Sequence, residues 1–428
     1  MRVFDNMPSE GTLPDADDTF CVMPFVHLHI TPDGAVTPCC QAPATVALSF
    51  GNINRQPITE IWNGPGLQQF RRQMRAGDRD ERCAGCYSKE AEGFMSLRRV
   101  SNDKYAGQVA RIRARPEDPA PMPEPVYIDV RFSNHCNFRC RICGPTSSSA
   151  WHQDAVALGW LPRGSPARSK LTDDPIRLWQ QLRDLAPGLL EVYFAGGEPL
   201  LMEEHYQLLE MFIELGNTQV RLQYNSNFSV LEFKSWDATD LWRHFTDVTV
   251  SASLDGRGAR GEYQRSNQRW SDVLVNRELL RRKAPHVRFL ITPAVSLFNV
   301  LHLPEFNRAA VDDGLIGAFD FIPSLLVRPA EYSIRTLPAD LKAKARKQIE
   351  AHLAWLETQS VDAKQREFVL GQWANLLRHM DAVSSAHLIP DFLSRTAALD
   401  GLRGESWQQV FPELAALADA AAPPDGQP

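Results

Sequence analysis

Short apolar stretches alternate with longer amphipathic ones from about residue 126 onward. Short apolar runs that end in turn residues are typical of β-strands, and apolar residues recurring at spacings of three and four are typical of helices. The predicted strands lie near 126–133, 191–195, 220–226, 248–254, 287–295 and 318–327. The predicted helices between them lie near 173–186, 200–215, 236–245, 269–283 and 304–312.

Strands and helices that alternate in this way pair in parallel through right-handed crossovers. Six such units predict an α/β fold in which residues 126–330 form a partial (β/α)6 barrel of the TIM type. In barrels of this type the loops at the carboxyl ends of the strands form the active site. The long irregular segment 144–172 is then placed to cover that site.

The pattern in the first quarter of the chain is different. Alternating apolar residues and the turn signal Thr31-Pro32-Asp33-Gly34 predict a hairpin over Val22 to Thr37. Helical spacing predicts one helix over Ile58 to Met74. Five prolines between Arg111 and Pro125 predict an extended connector.

These patterns divide the chain into five parts. The predicted parts are a flexible arm (1–19), a cysteine-rich domain (20–110), a proline-rich linker (111–125), the barrel (126–330) and a helical C-terminal region with a disordered tail (331–428). A chain of 428 residues is long enough for two or three domains.

Net charge and hydropathy indicate where in the cell the protein is expected. The 46 Lys and Arg residues against 52 Asp and Glu residues give a net charge of −6, which offers no general attraction to nucleic acid or to an anionic membrane. No apolar run approaches the roughly 18 residues of a membrane helix. The first twenty residues have neither the basic nor the apolar part of a signal peptide. A cytoplasmic protein is expected.

The eight cysteines fall in two groups, and the last of them is Cys143. Disulfides that stabilise a fold would be spread more evenly, so the clustering predicts metal ligands in a reducing compartment. The first group comprises Cys21, Cys39, Cys40, Cys83 and Cys86, and the second comprises Cys136, Cys140 and Cys143.

The second group follows the first barrel strand with the spacing C-x3-C-x2-C. Three thiolates leave one position of a metal centre open, whereas a fourth thiolate from elsewhere would complete a structural zinc site, and spacing alone does not decide between them. The context does decide, because the second barrel strand also ends in a glycine-rich loop, Gly196-Gly197-Glu198-Pro199.

With these two loops the chain resembles the radical S-adenosylmethionine (SAM) enzymes. The resemblance implies that Cys136, Cys140 and Cys143 hold a [4Fe-4S] cluster whose fourth iron binds SAM. It further implies reductive cleavage of SAM to a 5′-deoxyadenosyl radical, which abstracts hydrogen from a substrate. A reducing partner such as flavodoxin or ferredoxin is expected.

The resemblance also implies a set of cofactor contacts. The glycine loop suits the methionyl amine, a segment after the third strand suits the ribose, and an arginine after the fourth suits the methionyl carboxylate. Ile142 stands where relatives often have an aromatic residue and would pack on the adenine. The predicted cofactor-binding residues are Ile142, Gly196, Gly197, Glu198, Pro199, Ser226, Asn227, Ser253 and Arg265.

The first cysteine group resembles the auxiliary-cluster domain called SPASM, or its shorter twitch form. Relatives usually carry this domain after the barrel, whereas here it precedes it. The predicted ligands of an auxiliary [4Fe-4S] cluster are Cys21, Cys39, Cys83 and Cys86. Five sulfurs are one more than a cluster needs, so either Cys39 or Cys40 is spare, and the match of Cys39 after Pro38 favours Cys39 as the ligand. A zinc ribbon is the alternative.

The predicted function is therefore hydrogen abstraction by a radical SAM enzyme in peptide modification or in small-molecule biosynthesis. The substrate would be a peptide or a small molecule, with a slight preference for a peptide. The alternative is a non-catalytic iron-sulfur or zinc protein that serves assembly or electron transfer. His27 and His29 on the hairpin could face the cluster or the substrate, and Tyr193, Tyr224 and Tyr263 could donate hydrogen, although ordinary core roles are commoner for such residues.

Overall fold

A computed structural model describes residues 19–43, 46–115 and 121–419. The predicted arm, apart from Thr19, and the predicted disordered tail (422–428) lie outside the described residues, as does the middle of the proline-rich linker.

The N-terminal region consists of a small hairpin and short helices. Its elements are α1 (Met23–Val26), β1 (His27–Ile30), β2 (Ala35–Thr37), β3 (Gly51–Asn52), α2 (Ile58–Trp62), α3 (Pro65–Ala76), α4 (Ala84–Ala91), α5 (Leu97–Lys104) and α6 (Ala106–Arg113).

Three sequence predictions need correction here. The predicted hairpin is present only from His27, because Pro24 fits the first turn of a helix and cannot donate to a strand ladder. The predicted helix over 58–74 is two helices, since Pro65 disfavours the helical conformation at Gly64, where ψ is 158°. The start of the predicted extended linker is still helical, up to Arg113.

The barrel region alternates strands and helices as predicted. Its strands are β4 (Tyr127–Val130), β5 (Arg139–Cys140), β6 (Glu191–Phe194), β7 (Arg221–Ser226), β8 (Glu232–Phe233), β9 (Trp236–Asp237), β10 (Val248–Ala252), β11 (Arg265–Ser266), β12 (Arg288–Ile291), β13 (Ala294–Val295) and β14 (Ser324–Leu325). Its helices are α7 (His152–Ala157), α8 (Pro175–Leu185), α9 (Glu203–Glu214), α10 (Ala238–Trp242), α11 (Ala259–Gln264), α12 (Trp270–Lys283) and α13 (Leu303–Asp312).

The central sheet has eight strands in the order β12-β10-β7-β6-β4-β1-β2-β3. The five barrel strands in it pair in parallel throughout. The sixth predicted strand is reduced to a parallel bridge between Ile291 and Phe321 and to the short pair of β13 with β14. The α/β class and the partial barrel are thus confirmed.

The N-terminal hairpin continues the barrel sheet. Strand β1 pairs in parallel with β4, and the register joins His27 to Tyr127 and His29 to Asp129. Buried apolar residues of both regions belong to one hydrophobic core. The proline-rich linker therefore separates two regions in sequence that share a sheet in space.

The C-terminal region is helical, as predicted. It contains α14 (Ala339–Glu357), α15 (Ala363–Asp381), α16 (Ile389–Arg403), α17 (Trp407–Val410) and α18 (Ala416–Asp419). Among the described residues, no helix combines the length and the apolar character that crossing a membrane requires.

Candidate active site

The three-cysteine loop is held by backbone and side-chain hydrogen bonds from the segment that follows it. The Ser148 hydroxyl donates to the Phe138 carbonyl at 2.6 Å, and the Trp151 indole donates to the Cys140 carbonyl at 2.8 Å. The predicted covering segment therefore packs on the loop that it follows. Cys136, Cys140 and Cys143 all line one cavity.

Several donors point at the sulfur atoms of this loop. The Phe138 amide lies 3.5 Å from Cys136 Sγ, and Asn227 Nδ2 lies 3.7 Å from the same atom. Arg265 Nη1 lies 3.7 Å from Cys140 Sγ. Donors of this kind stabilise the thiolate form, which is the form that binds a metal.

An arginine inside the motif connects the three-cysteine loop to the C-terminal region. Arg141 is fully buried, and its guanidinium binds the carboxylates of Asp400 and Glu405 from the C-terminal region. Its charged group also lies over the ring of Tyr263, 3.7 Å from the ring centre. The C-terminal helices, which the sequence analysis assigned no role, thus hold the cysteine loop in place.

The glycine loop lies directly against the cysteine loop. The Glu198 amide donates to the His135 carbonyl at 2.7 Å. Gly197 has a φ of +56°, and a Cβ atom there would lie only 2.3 Å from the same carbonyl. Only glycine allows this approach. The two loops identified in the sequence are therefore adjoining walls of one site.

Glu198 is fully buried and receives three hydrogen bonds. The donors are the Leu200 amide at 3.1 Å, the Ser226 hydroxyl at 2.8 Å and the Asn227 amide at 2.6 Å. Burial raises the pKa of Glu198 to about 7, although these bonds act in the opposite direction. Glu198 therefore ties the glycine loop to the end of the third barrel strand, and its binding of the methionyl amine stays a prediction.

The remaining predicted cofactor contacts surround the same cavity. Gly196, Gly197, Ser226, Asn227, Ser253 and Arg265 line it. Arg265 is buried, not exposed, and its Nε lies 2.8 Å from Asp255 Oδ2, while β11 pairs Arg265 with Cys140. Ile142 packs against the cysteines, and Pro199 is buried at the start of a short helical turn. Their contacts with a bound cofactor stay predictions.

The pKa values of the three thiols are shifted in different directions. Burial raises the pKa of Cys136 to about 12. Cys140 accepts a hydrogen bond from the Cys143 thiol and lies near Arg265, and both effects lower the pKa of Cys140, whereas that hydrogen bond and burial raise the pKa of Cys143. A cationic iron-sulfur centre would offset the cost of burying thiolates here, so the donor set fits a cluster.

The N-terminal cysteines surround a second pocket, which is much smaller than the first. Cys21, Cys39, Cys83 and Cys86 all line it. Burial raises the pKa of Cys21, Cys39 and Cys83, and in each case a neighbouring thiol of the same group adds to the effect. Cys21 and Cys86 are buried and Cys39 and Cys83 half-buried, and four cysteine sulfurs around one space are the donor set that an auxiliary cluster needs.

Cys40 belongs to the other site. It lines the cavity of the three-cysteine loop and the glycine loop, and it is not among the described residues that line the small pocket. Burial and the charge of Asp129 raise the pKa of Cys40 to about 11. The structure thus places Cys39 and Cys40 in different pockets, whereas the sequence only favoured Cys39 over Cys40 as the cluster ligand.

A polar row, which we define as His29, Asp129 and Tyr193, runs across the sheet beside this cavity; His29 and Tyr193 line the cavity, and Asp129 is buried between them. These residues are register partners on β1, β4 and β6. His29 Nδ1 lies 2.9 Å from Asp129 Oδ2, and Arg131 donates to Asp129 at 3.2 Å. Although burial acts in the opposite direction, His29 and Arg131 lower the pKa of Asp129 to about 2.

Sequence analysis missed Asp129 and Arg131. Their signal is the alternation of Asp129 and Arg131 with buried Ile128 and Val130 in the first barrel strand, which places both polar residues on the inner face. Of the tyrosines considered as hydrogen donors, Tyr193 lines the cavity, whereas Tyr224 is buried against Trp242. His29 also lines the cavity.

The cavity as a whole has a volume of about 810 Å³ and opens to solvent. One side carries the predicted cofactor residues of the barrel loops. The other side carries residues of the N-terminal hairpin and the segment after it, namely His29, Thr31, Pro32, Asp33, Cys40, Gln41 and Ala42. The site is therefore built jointly by the two regions.

Two family models match the chain. An iron-sulfur cluster-binding domain, SPASM, matches residues 21–87, and the radical SAM superfamily matches residues 130–291. The matches do not overlap and together take in more than half of the chain. A search of the curated proteins finds no match.

Solved structures align at low identity. anSMEcpe with bound AdoMet aligns over 54% of this chain and 61% of its own, at 16% identity and a TM-score of 0.40. Streptococcus suis SuiB bound to S-adenosylmethionine aligns over 67% and 63%, at 15% identity and a TM-score of 0.36. The radical S-adenosylmethionine methyltransferase TsrM from Kitasatospora setae aligns over 48% and 37%, at 17% identity and a TM-score of 0.31. The chain spans about three fifths of the length of the first of these.

The family matches agree with the two cysteine sites. The radical SAM match implies SAM and a [4Fe-4S] cluster, and the SPASM match implies iron-sulfur rather than zinc in the N-terminal domain. Both cofactor predictions from the sequence are confirmed at this level. The chain therefore carries a radical SAM domain over residues 130–291 and a SPASM iron-sulfur domain ahead of it.

Proposed function

We propose that this protein abstracts a hydrogen atom from a carbon of its substrate, using SAM bound at the three-cysteine loop. The observation that carries the proposal is the contact of the cysteine loop with the glycine loop around one cavity that both loops line. When bound, the cluster and SAM supply a 5′-deoxyadenosyl radical, which is the chemistry of the superfamily.

The protein's own residues position and shield this chemistry. Cys136, Cys140 and Cys143 would hold the cluster, while Arg265 and Asn227 direct donors at its sulfur ligands. The glycines give a bound cofactor close access to the backbone. The segment after Cys143 covers the loop and limits entry of water, since Trp151 is fully buried against it.

The substrate that we propose is a peptide segment. The cavity has a volume of about 810 Å³ and opens to solvent, so a chain could enter and leave without being fully enclosed. The inner wall offers polar groups, because His29, Arg131 and Tyr193 line it. Such a wall suits peptide carbonyls and amides.

Anaerobic reconstitution tests the catalytic proposal. We expect about eight irons per chain for two clusters, and 5′-deoxyadenosine on addition of SAM and dithionite. A variant with Cys136, Cys140 and Cys143 all changed to Ala should keep the N-terminal cluster and form none. If the wild type forms no 5′-deoxyadenosine and binds SAM no better than this variant, the chain is a non-catalytic iron-sulfur protein.

A size-fractionated extract tests the substrate class. Source cells are grown in D2O, and the extract is divided into a peptide fraction and a small-metabolite fraction. We expect the peptide fraction alone to transfer deuterium to 5′-deoxyadenosine. Transfer from only the small-metabolite fraction would replace the peptide by a small molecule and leave the catalytic proposal intact.

A further inference from the structure

The segment from Cys39 to Gln41 separates the two cysteine sites. Cys39 lines the four-sulfur pocket, Cys40 lines the large cavity, and Gln41 lines both. Adjacent Cα atoms lie only about 3.8 Å apart, so the two thiols belong to neighbouring chambers with a thin wall between them. No cluster role is assigned to Cys40, and its position is not explained by the four-sulfur set.

The surroundings of the Cys40 thiol are those of the barrel interior. Its electrostatic partners include Asp129 and Arg131, and its thiol in turn acts on Tyr193. These residues come from the first two barrel strands, beside the loops that carry the predicted cofactor contacts. The N-terminal domain thus contributes this thiol to the cavity lining, while the barrel contributes the predicted cofactor-binding residues.

We propose that Cys40 is a catalytic thiol that donates its hydrogen atom to the substrate radical. The proposal rests on the proposed function, because it requires a carbon radical in this cavity. An S–H bond is weaker than a C–H bond, so a carbon radical takes hydrogen from a thiol that it can reach. The cavity brings such a thiol to the space left for the substrate.

The step balances as a hydrogen-atom transfer. The S–H bond of Cys40 breaks homolytically, a C–H bond forms on the substrate, and Cys40 is left as a thiyl radical. Cys40 recovers its hydrogen by taking one electron from a low-potential one-electron donor, of the flavodoxin or ferredoxin class, and one proton from water. Cys39 adjoins it, so the electron route from the predicted auxiliary cluster is short.

This assignment also limits the reaction outcome. A substrate that loses a hydrogen atom and regains one has the same composition before and after. The product is then an isomer of the substrate, such as an epimer, and not a crosslinked or dehydrogenated product. The hydrogen that enters comes from a thiol that exchanges with solvent.

The first experiment locates Cys40 without any turnover. The reconstituted full-length protein is treated anaerobically with iodoacetamide, and the cysteine peptides are mapped by mass spectrometry. We expect Cys40 to be alkylated slowly, because its raised pKa leaves little thiolate, while the other seven cysteines stay protected. Cys40→Ala should keep all of its iron, and Cys39→Ala should lose the iron of one cluster. Protection of Cys40 together with loss of iron in Cys40→Ala would make Cys40 a ligand and overturn the proposal.

The second experiment tests hydrogen donation with SAM alone, because a thiol that lies in the space left for the substrate faces the 5′-deoxyadenosyl radical when no substrate lies between them. In D2O the thiol of Cys40 becomes S–D, and dithionite drives SAM cleavage in the absence of substrate. We expect singly deuterated 5′-deoxyadenosine from the wild type. Cys40→Ala and the size-matched Cys40→Ser should give chiefly undeuterated product, because the alcohol O–H bond is much stronger than S–H.

The two proposals fail in different ways. If the wild type forms no 5′-deoxyadenosine, the proposed function itself is wrong. If it forms 5′-deoxyadenosine with the same deuterium content as Cys40→Ala, the radical chemistry stands and the donor role of Cys40 is overturned. Deuterium content is measured per molecule formed, so a variant with slower SAM cleavage still gives a valid comparison.

Discussion

At the scale of single residues, the site depends on charged groups placed where water is absent. Glu198 is fully buried and is held by three donors, and Arg265 is buried beside Asp255 and Cys140. Burial favours the neutral form of a carboxyl group. Ionising Glu198 in the folded protein therefore costs free energy. Such a group gives the protein a measurable pH signature.

The pH dependence of stability should reveal Glu198. Its pKa is about 7 in the folded chain against an ordinary value of 4.5, so the folded state holds a proton that the unfolded state has released. Stability contributed by this group is therefore present at low pH and lost as pH rises from about 4.5 to about 7. Between about pH 5 and about pH 8 the loss should be about 2.5 kcal/mol, and Glu198→Gln should abolish it.

Urea unfolding of the metal-free protein at both pH values measures this difference. Glu204→Gln, an exposed change on helix α9, is the control for removing one negative charge. As the pH rises, Glu198→Gln should become more stable relative to the wild type, because only the wild type loses the contribution of Glu198. Equal shifts in the two variants would contradict the assignment.

At the scale of elements, the site is made by two loops that touch through backbone. Glycine at 197 permits the contact with His135, and Glu198 then reaches the end of β7 through Ser226 and Asn227. The cysteine spacing alone says nothing about this contact. It arises because β4 and β6 are parallel neighbours, so the loops at their carboxyl ends meet.

Gly197→Ala should separate these loops. The new Cβ would overlap the His135 carbonyl, and the left-handed φ of +56° disfavours any side chain. We expect a loss of about 2 kcal/mol in unfolding free energy and a marked loss of SAM affinity. Urea unfolding and equilibrium dialysis with SAM measure the two effects.

Gly144→Ala is the matched control, since Gly144 adjoins Cys143 but has no left-handed φ, and a Cβ atom added there would meet no other atom within 4 Å. It should keep both stability and affinity. Similar losses in the two variants would show that the cysteine loop tolerates no added methyl group, and the loss in Gly197→Ala would then say nothing specific about loop contact.

At the scale of the whole molecule, the cysteine loop is held between both ends of the chain. The N-terminal hairpin extends its sheet through β1 and β4, and the C-terminal helices hold Arg141 through Asp400 and Glu405. Asp400 also accepts hydrogen bonds from the Tyr263 hydroxyl at 2.9 Å and the Trp407 amide at 2.9 Å. Regions outside the barrel therefore support the cofactor site.

Asp400→Ala should weaken that support. It leaves the buried Arg141 with a single carboxylate partner, and breaking a buried ion pair typically costs about 3 to 5 kcal/mol. We expect lower stability and less iron retained at the three-cysteine site. Asp391→Ala, an exposed change in the same helix, should cost less than about 1 kcal/mol. Equal costs would show that Arg141 does not depend on Asp400.

Buried histidines should make the whole protein sensitive to acid. Burial lowers the pKa of His27, His205 and His352 to about 3, against an ordinary value of 6.5. The unfolded chain therefore binds protons that the folded chain does not, and stability is lost as pH falls below about 6.5. From about pH 7 to about pH 5 each histidine should cost about 2 kcal/mol, partly offset by Glu198.

Urea midpoints across this pH range measure the acid effect. The unfolding free energy of the metal-free protein should fall steadily toward low pH, and more steeply in Glu198→Gln, where the offset is absent. Stability that rises toward pH 5 in both proteins would mean that the three histidines are protonated in the folded state.

The sequence by itself determined the elements and the chemistry. Alternating apolar residues define β4, β6, β7, β10 and β12 because strand and helix periodicities are local properties. The spacing of Cys136, Cys140 and Cys143 predicts a metal centre because ligands on one short loop converge wherever the loop lies, and the glycine loop after the next barrel strand favours a cluster over zinc through the family resemblance. Local prolines at 24 and 65 also explain the boundaries that differed.

Only the tertiary structure decided which distant groups meet. The partition of Cys39 and Cys40 between two chambers, the pairing of β1 with β4 and the contact of Arg141 with Asp400 join residues far apart in the chain. Such contacts depend on sheet order and on the burial of charge across regions, and no periodicity in the sequence encodes either of them.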